Sequence, residues 1–246
     1  MKKKRNLAEA INPADPTRMK GRRKQYIKQF DKLFGKFKIR FTTLFKSYSS
    51  KNITPEMIDA FNERTLVLID AEISTPGKQV MDDYVLTSYN LGQTRASQFL
   101  KPFGIEATVG NTPADEDMLK ILRQRNYTSL KGITDDMSKT INRELTDGVL
   151  NGESIPKLSK RLTEQVGFSK QRAETFVRTE VMYSYNTAAK AQYERYGVSE
   201  VEWFTAQDER VCPRCGPLHG KKFKTGEAPQ TPLHPNCRCT LLPTIG

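Results

Sequence analysis

No apolar run in this sequence approaches the roughly 18–20 residues that a membrane-spanning helix needs. The basic start, Met1-Lys2-Lys3-Lys4-Arg5, is followed by no apolar stretch of the kind a secretory signal carries, so the expected first compartment is a cytoplasm. Internal repeats and long low-complexity tracts are missing. So are a P-loop, a G-x-S-x-G turn, a dinucleotide-binding glycine pattern and an H-E-x-x-H zinc-hydrolase helix. Those absences remove the commonest sequence grounds for expecting an enzyme, and the expectation is a protein that is not one. Cysteine and histidine are scarce and confined. The four Cys lie between positions 212 and 239, and both His, His219 and His234, fall in the same window.

What is present is length, charge and helical patterning. A chain of 246 residues suggests one or two domains. With 37% hydrophobic and 28% charged residues it is polar yet able to bury a core. The net charge of +12 is localised. Residues 1–50 hold 15 Lys and Arg against three acids, Glu9, Asp15 and Asp31, whereas the rest of the chain holds 25 of each sign. A segment so basic attracts phosphate backbones, anionic lipid or an acidic protein face.

Residues 1–20 lack periodicity and contain Pro13 and Pro16, which predicts a disordered arm. From about Arg22 to Tyr48 the apolar positions Tyr26, Phe30, Leu33, Phe34, Phe37, Phe41, Leu44, Phe45 and Tyr48 step by three and four, and lysines fill most of the remainder. That is one face of an amphipathic helix packed on other helices. Thr54-Pro55-Glu56 opens a second helix with an N-cap and a first-turn proline, expected to run to about Ile73 and to break at Ser74-Thr75-Pro76-Gly77. Further helices are predicted over 78–100, 112–130, 134–150, 154–167 and 169–197, with Asn151-Gly152, Gly167 and Gly197 as stops. Asp115-Glu116-Asp117 and Asp135-Asp136 read as first-turn acids at helix N-termini rather than paired catalytic carboxylates. After Gly197 the period changes. Val201, Trp203 and Thr205 alternate with polar or outward residues as a strand, Trp203 reads as core, and Arg238 to Leu242 could form a closing strand. The expected fold class is mainly α, a helical body with a small C-terminal Cys/His-rich β domain.

The chemistry is concentrated in that last segment. Cys212-Pro-Arg-Cys215 is followed, after 21 residues, by Cys237-Arg-Cys239, with His234 three residues ahead of Cys237. A C-x2-C pair forms a knuckle that aims two sulfurs at one ion, and two ligands from a later turn complete a tetrahedron. Five donors, Cys212, Cys215, His234, Cys237 and Cys239, compete for four places. His219 fits neither pair. A segment of some 45 residues with few large apolar side chains seldom folds on its core alone, and structural zinc would supply the missing folding energy. Two disulfides, or reduced thiols packed beside the helical body, are the other readings of the same residues.

The order of motifs from about Leu122 to Pro243 resembles the phage Mu F-like minor head protein family, also called the phage head morphogenesis family. The resemblance rests on Gly132-Ile-Thr-Asp-Asp-Met137, Leu150-Asn-Gly-Glu153, Ile155-Pro156, Arg172-Ala-Glu174, Arg178-Thr-Glu-Val181, Tyr185-Asn186, Trp203-Phe-Thr-Ala206, Asp208-Glu-Arg210, Cys212-Pro-Arg-Cys215, Leu218-His-Gly220 and His234-Pro-Asn-Cys-Arg-Cys-Thr240. The family pattern has Asp at the position of His219, which implies that His219 is not a required ligand. The resemblance implies a minor capsid protein of a tailed virus. Its expected partners are the portal and other capsid or scaffold proteins, and its expected location the virion, in the head interior or at the portal vertex, after assembly in the host cytoplasm. Double-stranded DNA is expected to meet the basic N-terminal region. A zinc-ribbon-like nucleic-acid-binding regulator and a metal-dependent nuclease using His219 or His234 as base are the alternatives. The expected division is a basic disordered arm over 1–21, a helical N-terminal region over 22–110, the helical part of the Mu F-like domain over 111–197, and a Cys/His-rich β subdomain over 198–246. From Arg178, Glu180 and Asn186 a polar contact to the Cys segment is expected.

Overall fold

The computed structural model describes residues 11–12, 15–48, 54–110 and 112–245; the basic start Met1-Lys2-Lys3-Lys4-Arg5 lies outside them. Five long helices, α1 (Lys20–Tyr48), α2 (Pro55–Ile69), α3 (Thr75–Leu100), α4 (Pro113–Leu150) and α5 (Ile155–Arg195), precede three short strands, β1 (Glu200–Phe204), β2 (Lys222–Lys224) and β3 (Thr240–Thr244). Among the described residues no helix is long and apolar enough to cross a membrane. The chain gathers into two compact units, one of residues 1–24, 83–123 and 177–246, the other of residues 25–82 and 124–176.

Several predicted breaks are continuous helix. At Pro76 the missing N–H would leave the Glu72 carbonyl unpaired. The chain absorbs this with a π-helical turn over Asp70–Ser74, in which the Thr75 N–H donates to Asp70 O, five residues back. Gly77 follows because space is short: a Cβ there would come within 2.8 Å of Leu130 Cδ2. The predicted stop around Gly132 is the interior of α4, since the buried stripe Leu119, Leu122, Leu130, Ile133, Met137, Ile141 and Leu145 runs through it without changing phase. Asp135 and Asp136 therefore sit mid-helix, paired with Lys131 and Arg172, and are not first-turn acids. Likewise Leu158, Leu162, Val166, Ala173, Val177 and Val181 carry α5 past Gly167. In both helices continuous burial outweighs the roughly 1 kcal/mol that an interior glycine costs. The stops that do hold are left-handed glycines, Gly152 (φ 62°) and Gly197 (φ 71°). Order also begins earlier than the expected arm allows. The Asp15 carboxylate accepts from the Met19 and Lys20 N–H groups, Thr17 and Met19 are buried, and α1 is already under way at Lys20.

In the unit of residues 25–82 and 124–176, α1 buries Tyr26, Phe30, Phe34, Phe37, Phe41 and Phe45. Phe61 of α2 meets Phe41 and Phe45 edge-on, with ring centroids 5.7 and 5.8 Å apart. Arg161 of α5 ties the turn after α4 by pairing with Glu144 and, at 2.7 Å, with Glu153.

In the other unit, α3 and α5 approach so closely at Gly92 that a Cβ would overlap the Tyr185 carbonyl oxygen. The sheet has the order β2-β1-β3, antiparallel throughout, with Trp203 opposite Leu241 and Val201 between Phe223 and Pro243. Trp203 is fully buried, as its apolar neighbours predict. β2 had no signal in the alternation, being three residues long with two exposed lysines. The two long loops hang from this sheet: 205–221 joins β1 to β2, and 225–239 joins β2 to β3.

Candidate metal centre

The Cys212-Pro-Arg-Cys215 turn is closed by the N–H groups of Cys215 and Gly216, both donating to Cys212 O at 3.0 Å. That curls the backbone so that sulfurs three residues apart face the same way. The second loop makes its own turn, with Cys237 N donating to His234 O at 3.1 Å and Asn236 in the left-handed region (φ 62°). It is fastened to α5 by the Asn236 N–H on Thr179 Oγ1, 3.0 Å away. Asn186 holds the end of the loop, its Nδ2 donating to Cys239 O at 3.1 Å and its Oδ1 accepting from Thr240 Oγ1 at 2.8 Å. The expected polar link from this helix to the Cys segment thus runs through Asn186. Thr179 had no signal in the sequence.

All five predicted donors are brought together and all four cysteines are free thiols. They form two overlapping groups, Cys212–Cys215–His234 and Cys215–Cys237–Cys239, each with its ligand atoms within 4.8 Å of one another. His234 Nε2 lies 3.0 Å from Cys212 Sγ and 3.2 Å from Cys215 Sγ, and Cys215 Sγ lies 3.8 Å from Cys237 Sγ. The other ring nitrogen, Nδ1, donates to the Pro235 carbonyl at 2.8 Å, which leaves the Nε2 lone pair directed at the sulfurs. Zinc bonds of about 2.3 Å to sulfur and 2.0–2.1 Å to nitrogen give tetrahedral edges of about 3.8 Å between sulfurs and about 3.6 Å from sulfur to nitrogen. The Cys215–Cys237 edge fits this, and the two His234 edges need to open by a few tenths of an ångström. A cavity of about 30 Å³ is lined by all five donors together with neighbours such as Ala206, Val211 and Asn236. This arrangement could hold a metal ion.

The thiols are not equivalent. The Cys237 thiol is brought down to about 5 by hydrogen bonding from the Cys239 side chain, against its burial. The Cys215 thiol is pushed up to about 12 by burial and by the charge of Cys237. For Cys212 burial is outweighed by the N–H groups of Cys215 and Arg214, and its value falls. Around the donors, Arg238 clasps Asp208 with both terminal nitrogens, at 2.7 and 2.5 Å, and the Arg210 N–H and guanidinium add contacts at 3.1 and 3.0 Å. Asp208 thereby joins the first Cys loop to the second, and hydrogen bonding from Arg238 holds its carboxyl well below the usual range.

His219 stands apart. Its Nδ1 accepts from the Thr205 N–H at 3.2 Å, its Nε2 meets the Gln207 side-chain amide at 2.5 Å, and its ring lies edge-on to Phe204. Both nitrogens are engaged in holding the loop to the end of β1.

Fold and site together define a helical protein that ends in a small three-stranded unit bearing a Cys/His cluster able to hold a metal. Residues 139–242 match the family model described as phage Mu protein F like protein, and the resemblance read from the sequence is confirmed over that segment. The match takes in the end of α4, all of α5, β1, β2, both Cys/His loops and the first part of β3. An uncharacterized protein of Methanocaldococcus jannaschii is 33% identical over 135 residues, which are 52% of this chain and 21% of the relative. The match thus spans about a fifth of the length of that curated relative. No solved structure matches.

Proposed function

We propose that this chain is a minor capsid protein of a tailed virus that acts in head morphogenesis, binding the portal or procapsid and contacting packaged DNA through its basic N-terminal region. The match of residues 139–242 to the phage Mu F-like family carries this reading. The location of the +12 charge in the first fifth of the chain supports the DNA contact, since a protein packed beside dense nucleic acid gains from neutralising phosphate. In the same reading the Cys/His loops hold one structural zinc ion per chain through four of the five donors Cys212, Cys215, His234, Cys237 and Cys239, with Cys215 common to both groups. Zinc would cross-link two loops that otherwise hang from a three-stranded sheet; no catalytic step is assigned to it. Neither histidine favours a nuclease: His219 is committed to Thr205 and Gln207, and His234 to the sulfurs. Quantitative mass spectrometry of purified particles, procapsids and infected-cell lysate tests the proposal. A few to tens of copies per particle are expected. Abundance in lysate with absence from every particle form would overturn it.

A further inference from the structure

The basic excess of the first fifth of the chain is not all in the terminal arm. Helix α1 contains a single acid, Asp31, and that carboxylate is already paired with Lys170 at 3.2 Å. Lys28, Lys32, Lys36 and Lys38 are exposed, and among the described residues none of the four has an acidic partner. Lys28, Lys32 and Lys36 follow one another every four residues, and Arg40, paired with Glu72 at 2.6 Å, continues the row. At 1.5 Å per residue the steps are about 6 Å and the row is about 18 Å long. Duplex DNA presents about ten phosphates over such a length, at one charge per 1.7 Å of axis. Over that length the duplex offers more phosphates than the row has lysines.

The opposite face of α1 explains why the row is rigid and what it excludes. Tyr26, Phe30, Phe34, Phe37, Phe41 and Phe45 are buried in the protein. The helix is fixed by its aromatic stripe, so no backbone ordering cost is added when the lysines meet their partner. The same burial removes the apolar face with which a basic helix enters a lipid surface. Outward, one apolar side chain, Ile39, stands among the charges, and charge at regular intervals suits a polyanion better than a membrane.

We infer that the exposed lysine row of α1, Lys28, Lys32 and Lys36, is a preformed phosphate-binding surface for double-stranded nucleic acid. The inference rests on the proposed contact with packaged DNA and assigns that contact to a folded element instead of the arm alone. The test uses the full chain, a 30-base-pair duplex and a range of salt concentrations. Each phosphate contact contributes about 0.9 to the slope of log K against log salt, so the Lys28→Gln, Lys32→Gln, Lys36→Gln variant should lose about 2.7 from the slope. The matching Lys→Arg variant should keep the wild-type slope, which separates lost charge from lost fold. The arm variant Lys2→Gln, Lys3→Gln, Lys4→Gln, Arg5→Gln measures the other basic segment. A fall of more than two with the three-lysine Gln variant supports the inference. A smaller fall, or a loss confined to the arm variant, overturns it and leaves the DNA contact standing. Absence of duplex binding by the wild-type chain at 50 mM salt, a condition that favours any phosphate contact, overturns both. Equal binding to vesicles of anionic lipid at the same salt also overturns it, because the row would then not distinguish a duplex from a membrane.

Discussion

The carboxylate of Asp115 is buried at the start of α4 and accepts from three directions. Thr112 N and Oγ1 each donate to Oδ2 at 2.8 Å, and the Asp115 N–H is bonded in return to Thr112 Oγ1. Tyr89 OH donates to Oδ1 at 2.8 Å, and Arg195, from the last turn of α5, reaches both oxygens at 2.8 and 2.9 Å. Burial by itself would raise the carboxyl; hydrogen bonding from Arg195 and Thr112 outweighs it and brings the value to about 2. A folded-state value below the usual one of about 3.9 means stability that is complete above about pH 4 and lost as the pH falls toward 2. Asp115→Asn should lower stability at neutral pH by about 2 kcal/mol and flatten the acid limb of the profile between pH 4 and 2. Thermal melts of both proteins across that range decide it, and parallel acid limbs would refute it. At this scale the sequence was informative only where the signal is local. The capping role of Asp115 and the five sulfur and nitrogen donors could be read from spacing. The grip of Arg195 on Asp115, of Asn186 on Cys239 and of Asp208 on Arg238 joins residues 80, 53 and 30 positions apart, where no periodicity or motif connects the partners.

Glycine and proline misled the reading of elements in a consistent way. Each commonly punctuates a helix, yet Pro76, Gly77, Gly132 and Gly167 lie within helical runs that the buried stripe carries forward. Periodicity was the stronger signal: the aromatic steps of α1 and the apolar steps of α4 and α5 have the phase the structure uses. The Thr54–Pro55 start of α2 is also as read, with Thr54 Oγ1 accepting from Met57 N at 3.3 Å. Two helical glycines separate propensity from packing. Nothing lies within 4 Å of a Cβ at Gly132, so Gly132→Ala should stabilise by about 0.5–1 kcal/mol. At Gly92 the Cβ would meet the Tyr185 carbonyl and Ala188 Cβ, so Gly92→Ala should destabilise by about 1–3 kcal/mol. Denaturant unfolding of the two variants measures both signs. If Gly92→Ala were neutral, the close contact of α3 with α5 would not be a packing constraint.

On the scale of the molecule, helix and metal site make different demands on the chain. The long helices bury continuous stripes, whereas the segment after Gly197 closes a three-stranded sheet whose loops are held by a few polar contacts and the Cys/His cluster. Folding of those loops should therefore depend on the proposed ion more than the helices do. Trp203, the only tryptophan, is buried on the central strand β1, opposite Leu241 of β3. Its fluorescence thus reports on the sheet, while the helical circular dichroism signal reports on the rest. Stripping the metal with a strong chelator should shift Trp203 emission to longer wavelength and lower its melting midpoint, with most of the helical signal retained. Cys237→Ser should behave like the stripped protein even in excess zinc, because it removes the sulfur 3.8 Å from Cys215. Cys215→Ser should do the same, since its sulfur belongs to both donor groups. Unchanged emission and midpoint after chelation would remove the metal from the account and leave the sheet resting on Asn186, Tyr193 and the Asp208–Arg238 clasp.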